Sequence, residues 1–365
     1  VNPIPATIDL DDTESLLAAD RHGLLRAAST AGAQVRAAAA AVDEGALDSV
    51  RGDDRPRTAI WVAGRGTAET AGTMLAATLS GWTAEPIVIA AEPPPWIGAL
   101  DVLIVAGDDP GDAALVGAAA TGVRRGARVV VAAPYEGPLR DTTAGRVAVL
   151  EPRIRVPDEF GLCRYLAAGL AVLQCVDPKL GLNPAIDLAA LADDLDAEAL
   201  RSSAGREVFT NPAKALVERM LRRSVVLAGD CAATLALSRH GCSALLRIAH
   251  HVAAAAGLAD ALTALQTTSA SGFASPADAL FHDEEIDGPA AERLRVLALT
   301  LSTERTVVAS RVARFDDVDI VSAADVPDVT EVTAAPAGAQ RAEQQLAMLA
   351  VRLEMAAVYL RLVRG

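Results

Sequence analysis

Short apolar runs of strand length recur along this chain, each leading through a turn into a helical segment, and that alternation leaves few folds open. Residues 58–63 form the first run; it ends in Gly64-Arg65-Gly66-Thr67, and an Ala-rich helix is expected over 69–79. Runs at 86–91, 102–106 and 128–133 follow, with a helix expected over 112–125. Buried strands alternating with helices call for a parallel sheet covered on both faces. The alternation resumes at 224–230, a run that enters a turn at Gly229-Asp230. Behind it a long Ala/Leu helix is expected over 244–265, then strands at 305–312 and 319–322. Helical periods also occupy 13–44, with Thr13 as the expected N-cap, then 157–176, 185–200 and 339–364, while 201–205 reads as a turn. The expected fold class is α/β: two doubly wound parallel-sheet lobes with flanking N- and C-terminal helices. The divisions fall at 1–54 (helical), 55–155 (first lobe), 156–204 (helical connection), 205–330 (second lobe) and 331–365 (closing helix).

With 365 residues, 52% of them hydrophobic, the chain can fill such cores. Thirty-three basic against 47 acidic residues leave a net charge of −14, which repels a phosphate backbone, and eleven aromatic residues offer few stacking platforms. Nucleic acid is therefore not an expected partner. No strongly apolar stretch approaches the ~20 residues of a spanning helix, so no membrane association is expected either. Residues 8–14 are acidic where a secretory signal would be basic, and Cys163, Cys175, Cys231 and Cys242 read as free thiols. A cytoplasmic protein is expected.

Gly64-Arg65-Gly66-Thr67 has the shape of an anion-binding turn, with backbone N–H groups at the start of a helix. It is not a dinucleotide fingerprint, because Glu69 stands where a third glycine is needed, and no Walker lysine follows; the only lysines are Lys179 and Lys214. No cofactor is expected. On the residues alone, Gly64 and Gly66 need do no more than permit a tight turn.

Taken in order, several segments resemble one family. Ile60-Trp61-Val62-Ala63-Gly64-Arg65-Gly66-Thr67-Ala68-Glu69-Thr70-Ala71-Gly72 resembles the opening strand and turn of a sugar isomerase (SIS) domain. Residues 103–131, with Gly107-Asp108-Asp109-Pro110-Gly111-Asp112, resemble its second strand, phosphate loop and helix. Phe160-Gly161-Leu162, Asn211-Pro212-Ala213-Lys214, 225–229 and the closing 354–365 are similar to later landmarks of the bifunctional phosphoglucose/phosphomannose isomerases, actinobacterial TobH-type proteins above all. The likeness covers nearly the whole chain. It implies SIS-like lobes, a sugar phosphate or nucleotide sugar as ligand, and a homodimer or a complex with a sugar-metabolism enzyme. The Leu346, Leu349 and Leu353 surface of the closing helix is the expected packing face.

The chemistry that the resemblance implies is largely missing. The family cradles phosphate with Ser and Thr hydroxyls in a loop of the type S-x-S-G-x-T, whereas 106–111 carries Asp108 and Asp109, which accept hydrogen bonds and repel a dianion. Ala68 stands at a serine position of the first turn, with Thr67 beside it. Where the family has its Glu base, His250-His251 and an Ala run stand; neither the ring-opening His around Thr267-Thr268-Ser269 and Gly272-Phe273 nor the C-terminal Lys is found. The remaining catalytic candidates are His250, His251 and Glu354. The ligand-binding candidates are Gly64, Arg65, Gly66, Thr67, Asp108, Asp109, Gly229 and Asp230. Cys231, His240, Cys242 and His282 match no zinc template, so no metal is expected; His282-Asp283-Glu284-Glu285 reads as a solvated loop, and Arg352 and Tyr359 as core or dimer contacts. Two readings follow: a catalytically degenerate isomerase homologue that binds or regulates, and an active isomerase with displaced residues.

Overall fold

Strand β1 (Thr58–Ala63) pairs in parallel with β2 (Ile87–Ala90) on one side and β3 (Asp101–Ala106) on the other. Strands β4 (Arg128–Ala132) and β5 (Ala148–Val149) extend this sheet to the order β2-β1-β3-β4-β5. A second parallel sheet, β7-β6-β8-β9, consists of β6 (Ser224–Gly229), β7 (Ala254–Gly257), β8 (Leu294–Leu299) and β9 (Val318–Val321). In both, the first strand is internal and the chain steps to one side before crossing to the other, which is the doubly wound pattern expected. These features come from a computed structural model that describes residues 8–52, 54–177, 187–221, 223–271, 294–325 and 341–364.

Successive side chains on a strand point to opposite faces, and this sets the layers. Ile60 and Val62 of β1 with Leu103 and Val105 of β3 face an outer core covered by α5 (Ala113–Arg125) and α6 (Gly137–Thr143). Val226, Ala228, Val296 and Ala298 face the outer core of the second lobe under α11 (Leu258–Ser271) and α12 (Arg305–Val312). The intervening residues, Ala59 and Trp61 in one sheet and Val225 and Leu227 in the other, share a single central core. Helices α4 (Thr67–Leu79), α7 (Leu162–Val176), α10 (Ala232–Ala249) and α13 (Ala342–Arg364) pack there against one another. Helix α13 has 19 of its 23 residues buried, so it is enclosed by the rest of the chain on nearly every side, with Glu343, Gln345, Arg352 and Glu354 among the buried residues. Leu346, Leu349 and Leu353 are thus spent inside the chain and do not form the surface for a second copy that the sequence suggested.

Trp61, buried in this layer, donates Nε1–H to the carbonyl of Ala68 at 3.0 Å. A Cβ on Gly72 would stand 2.4 Å from the Trp61 ring. Gly72→Ala is expected to cost about 1–3 kcal/mol of stability through overpacking, read as a lower urea midpoint; an unchanged midpoint would show that the ring moves aside freely.

Five local expectations are corrected. Residues 13–44 form three helices, α1 (Thr13–Ala19), α2 (Leu24–Ala28) and α3 (Ala31–Asp43), because Gly23 turns left-handed (φ 64°) and the Asp20 carboxylate caps the N–H groups of Leu24 and Leu25. Asp12 rather than Thr13 is the first N-cap, accepting from the Ser15 N–H. The helix expected over 244–265 is α10, β7 and α11 in succession: His250 ends α10 in the left-handed region, and 254–257 pairs with β6. Residues 305–312 are helix α12, not a strand; Val308 and Val312, one turn apart, face the sheet, and β9 takes the edge. Helix α7 also begins at Leu162, after the loop that holds Asp158 and Glu159. Helices α8 (Leu188–Arg201) and α9 (Pro212–Met220) are started by Asp187 and Asn211, whose side chains each accept two backbone N–H groups.

Candidate functional site

In a doubly wound sheet, ligands bind beyond the carboxyl ends of the strands where the winding reverses. In the first lobe that point lies between β1 and β3, so the turn Gly64-Arg65-Gly66 and the loop 107–112 face each other there. They are in backbone contact: a Cβ on Gly64 would lie 3.5 Å from the Gly107 Cα, and one on Gly107 would lie 2.5 Å from Leu115 Cδ1. Asp108 pairs with Arg164 at 2.5 Å, Asp109 accepts the Gly111 N–H at 2.8 Å, and Asp112 accepts the Ala114 N–H at the start of α5. The crevice beside this loop, about 640 Å³, is lined by Asp108, Asp109, Glu136, Glu151 and Asp158 against Arg155 and Arg164. It is therefore acidic.

The equivalent point of the second lobe is closed by its own hydrogen bonds. Asp230 accepts from the Thr234 hydroxyl at 2.9 Å and from the Thr300 hydroxyl at 3.3 Å. A Cβ on Gly229 would meet the Leu235 nitrogen at 2.2 Å, so this glycine is required by the close approach of α10 to the strand end.

A third opening lies between the lobes. One wall is the start of α4, with Gly66, Thr67, Glu69, Thr70 and Thr73; the other is a stripe of α10, Ala236, Arg239, His240, Ser243, Ala244 and Arg247, at helical spacing. The cleft holds about 180 Å³. Arg247 is held by Asp158 and Glu159, and Thr67 donates its hydroxyl to the Asp158 carbonyl. His240, 4% exposed, contacts Glu354 of α13 through Nε2 at 2.9 Å. Burial pushes the Glu354 carboxyl above the ordinary carboxylate range, and the imidazole partly offsets this. The Cys163 thiol is raised as well, by burial and then by the nearby Glu354 charge.

The Glu354 shift has a pH consequence. An acid whose folded pKa is raised holds its proton more tightly when folded than when unfolded, so stability falls as pH rises from the unfolded value of about 4.3 through the folded one. Glu354→Gln, which can keep a hydrogen bond to His240, is expected to lose part of that fall. The check is the urea midpoint of both proteins at about pH 5 and about pH 7.5; equal slopes would contradict the assignment.

The sequence candidates separate into groups. Gly66 and Thr67 border the inter-lobe cleft, while Gly64 is packed at the switch point and Arg65 is exposed beside it. Asp108 and Asp109 line the acidic crevice, and Gly229 and Asp230 close the second lobe. His250 is the exposed left-handed residue ending α10, and His251 is buried with Nδ1 2.9 Å from Arg364. Both lie about 15 Å along the helix axis from His240, at the opposite end of the lobe from its strand carboxyl ends. Lys214 is also remote from the cleft in role: its ammonium donates to the carbonyls of Ala204 and Arg206 and lies over the Tyr359 ring. His282, the acidic run after it, Phe273 and Lys179 lie outside the described residues, and among the described residues no cluster of His, Cys, Asp and Glu could hold a metal ion. The partnership of His240 with Glu354 was not visible in the sequence, since 114 residues separate them and neither sits in a motif.

No family model matches the chain, and no curated protein matches it in sequence. Solved structures do match in shape. A Clostridium difficile protein provisionally described as a phosphosugar isomerase superposes with a TM-score of 0.63 at 11% identity, covering 94% of this chain and 93% of that one. Escherichia coli tagatose-6-phosphate ketose/aldose isomerase gives 0.60 at 13% identity, covering 96% and 92%. A Thermus thermophilus glucose-6-phosphate isomerase-like protein gives 0.52 at 19% identity, covering 98% and 94%. The fold is that of the phosphosugar isomerases. At these identities the likeness establishes the SIS architecture over nearly the whole chain and leaves the chemistry to the site itself. Among the described residues no helix is long and apolar enough to cross a membrane.

Proposed function

We propose that this chain is a non-catalytic protein of phosphosugar-isomerase fold that binds a sugar phosphate and acts as a binding or regulatory subunit in sugar-phosphate metabolism, in the mannose branch suggested by the sequence resemblance. The observation that carries this reading is the loop 107–112. Asp108 is paired with Arg164, and Asp109 and Asp112 accept the N–H groups of Gly111 and Ala114, so the chain's own carboxylates use donors that would hold a phosphate there. Residues 250–257 offer no carboxylate as a base, and Lys214 is committed to backbone carbonyls.

The test is a coupled assay for fructose 6-phosphate formed from glucose 6-phosphate or mannose 6-phosphate, together with a thermal-shift series over sugar phosphates and nucleotide sugars. No turnover is expected, with stabilisation of about 2.7 kcal/mol when the ligand stands at a hundred times its Kd. Turnover that survives removal of host isomerase would overturn the non-catalytic claim, and a flat thermal-shift series would overturn the binding claim. The proposed assembly is a homodimer or a complex with a sugar-metabolism enzyme; sedimentation at micromolar concentration should show a species larger than the 37.5 kDa chain.

One observation favours a second reading, an isomerase with displaced groups. His240 is held by the buried Glu354 carboxyl and borders the cleft, the arrangement of an oriented general base. Isomerase turnover lost in His240→Gln would select it.

A further inference from the structure

A strand at the edge of a sheet leaves half of its backbone N–H and C=O groups without a partner strand, and proteins guard such edges with prolines, charges or short length. The two sheets present four edge strands, and three are guarded. Strand β2 stands between Pro86 and the Pro93-Pro94-Pro95 run, β5 is two residues long, and β9 carries Asp319, paired with Arg295. Strand β7 has none of these devices. From 252 to 257 the chain reads Val-Ala-Ala-Ala-Ala-Gly, without a proline or a charge; Val252 is 78% exposed, and Ala254 and Ala255 are exposed as well. Strand β6 pairs with one side of β7, from Ala254 to Gly257, and among the described residues no strand pairs with the other.

The two ends of β7 carry opposite charge. At its start stand the exposed His250 and, from the end of α13, Arg364, which contacts His251 Nδ1 at 2.9 Å. At its finish Asp260 is exposed in the first turn of α11, with Oδ2 3.4 Å from where a Cβ on Gly257 would stand. Neither Arg364 nor Asp260 forms an ion pair among the described residues. Two copies of such a strand paired in parallel would set like charges side by side. Paired antiparallel about a two-fold axis, they bring the basic end of each copy to the acidic end of the other, and a register centred on Ala255 runs His250 toward the partner's Asp260.

We propose that the open edge of β7 is an interface between two copies of this chain, paired antiparallel so that two four-stranded sheets become one of eight strands. One patch serves both copies, so the contact closes at a dimer and leaves no β7 edge exposed. This placement rests on the homodimer alternative of the assembly proposed above and adds its surface and polarity.

The test is sedimentation of the full chain at micromolar concentration together with disulfide trapping. Cα atoms directly opposite in an antiparallel pair lie about 4.5–5.5 Å apart, within the span of a disulfide. At least one of Ala254→Cys and Ala255→Cys is expected to give a covalent dimer under mild oxidation. The parent, with its own four thiols, and Val307→Cys, exposed on α12 at the far side of the sheet, are expected to remain uncrosslinked. Val252→Lys combined with Ala254→Lys, both at exposed positions, is expected to raise the dimer dissociation constant at least tenfold without changing the far-ultraviolet circular dichroism, and Asp260→Lys to weaken the dimer in the same direction. A parent dimer that neither cysteine variant traps and that the lysine variants leave intact would overturn the β7 placement while the homodimer stands. A parent that sediments as the 37.5 kDa chain would overturn both.

Discussion

Arg352→Met is expected to lower the unfolding free energy by about 3–5 kcal/mol, the usual cost of removing one member of a buried ion pair. Arg352 of α13 is 1% exposed; its Nε donates to Glu198 Oε1 at 2.7 Å, and its other nitrogens donate to Glu198 Oε2, the Ser322 carbonyl and the Ala323 carbonyl. One guanidinium thus joins α8, α13 and the segment after β9. Without it, Glu198 keeps the half-buried Arg201, and the Ala323 carbonyl loses its donor while the Ser322 carbonyl keeps the Asp325 N–H. The double variant Arg352→Met with Glu198→Leu should recover most of the loss, because both charges then leave the interior. Urea denaturation of the two variants decides the matter. A single variant within about 1 kcal/mol of the parent would mean that water reaches the site and solvates Glu198.

Asp108→Ser combined with Asp109→Gly should create a phosphate site that the parent lacks. A lone carboxylate opposes a dianion ~4 Å away by roughly 4 kcal/mol at an effective dielectric near 20. The ion pair with Arg164 reduces the share due to Asp108, which the sequence alone did not show. The substitution also frees Arg164, whose side chain is 12% exposed at the crevice, to face an incoming anion. Phosphate affinity at the crevice should rise at least tenfold, about 1.4 kcal/mol, visible in calorimetry as an additional equivalent of bound phosphate. Isomerase activity should not appear, since no base is restored. An unchanged isotherm would show that the loop backbone, packed on Leu115 through Gly107, closes the site whatever its side chains are.

The layered fold was legible because parallel strands buried on both faces are short, apolar and bounded by glycine turns, as at 58–64 and 224–229. Local preference misleads where tertiary packing overrides it. Val307 and Val308 suggest a strand at 305–312, yet these residues lie on a helix beside the sheet, and the Ala run at 254–257 favours a helix until β6 pairs with it. The Gly turns and the acidic loop were also visible, but not their partners: Arg164 lies 56 residues from Asp108. The inter-lobe cleft was the least legible feature. It depends on how two equivalent helices, α4 and α10, pack across the molecule, and it brings His240 to Glu354 through a third helix. No periodicity within one segment carries that information. The leucine stripe of α13 shows the converse, a packing face legible in sequence whose partner proved to be the chain itself.

On the proposed function a sugar phosphate binds and is not isomerised. Aldose–ketose isomerisation removes the proton from C2 and returns one that has exchanged with solvent through the base. Mannose 6-phosphate incubated with the protein in deuterium oxide therefore tests binding and chemistry in one proton NMR series. Broadened ligand signals with an undiminished C2 proton are predicted. Loss of the C2 proton at a rate proportional to protein concentration, in protein free of host isomerase, would contradict the account.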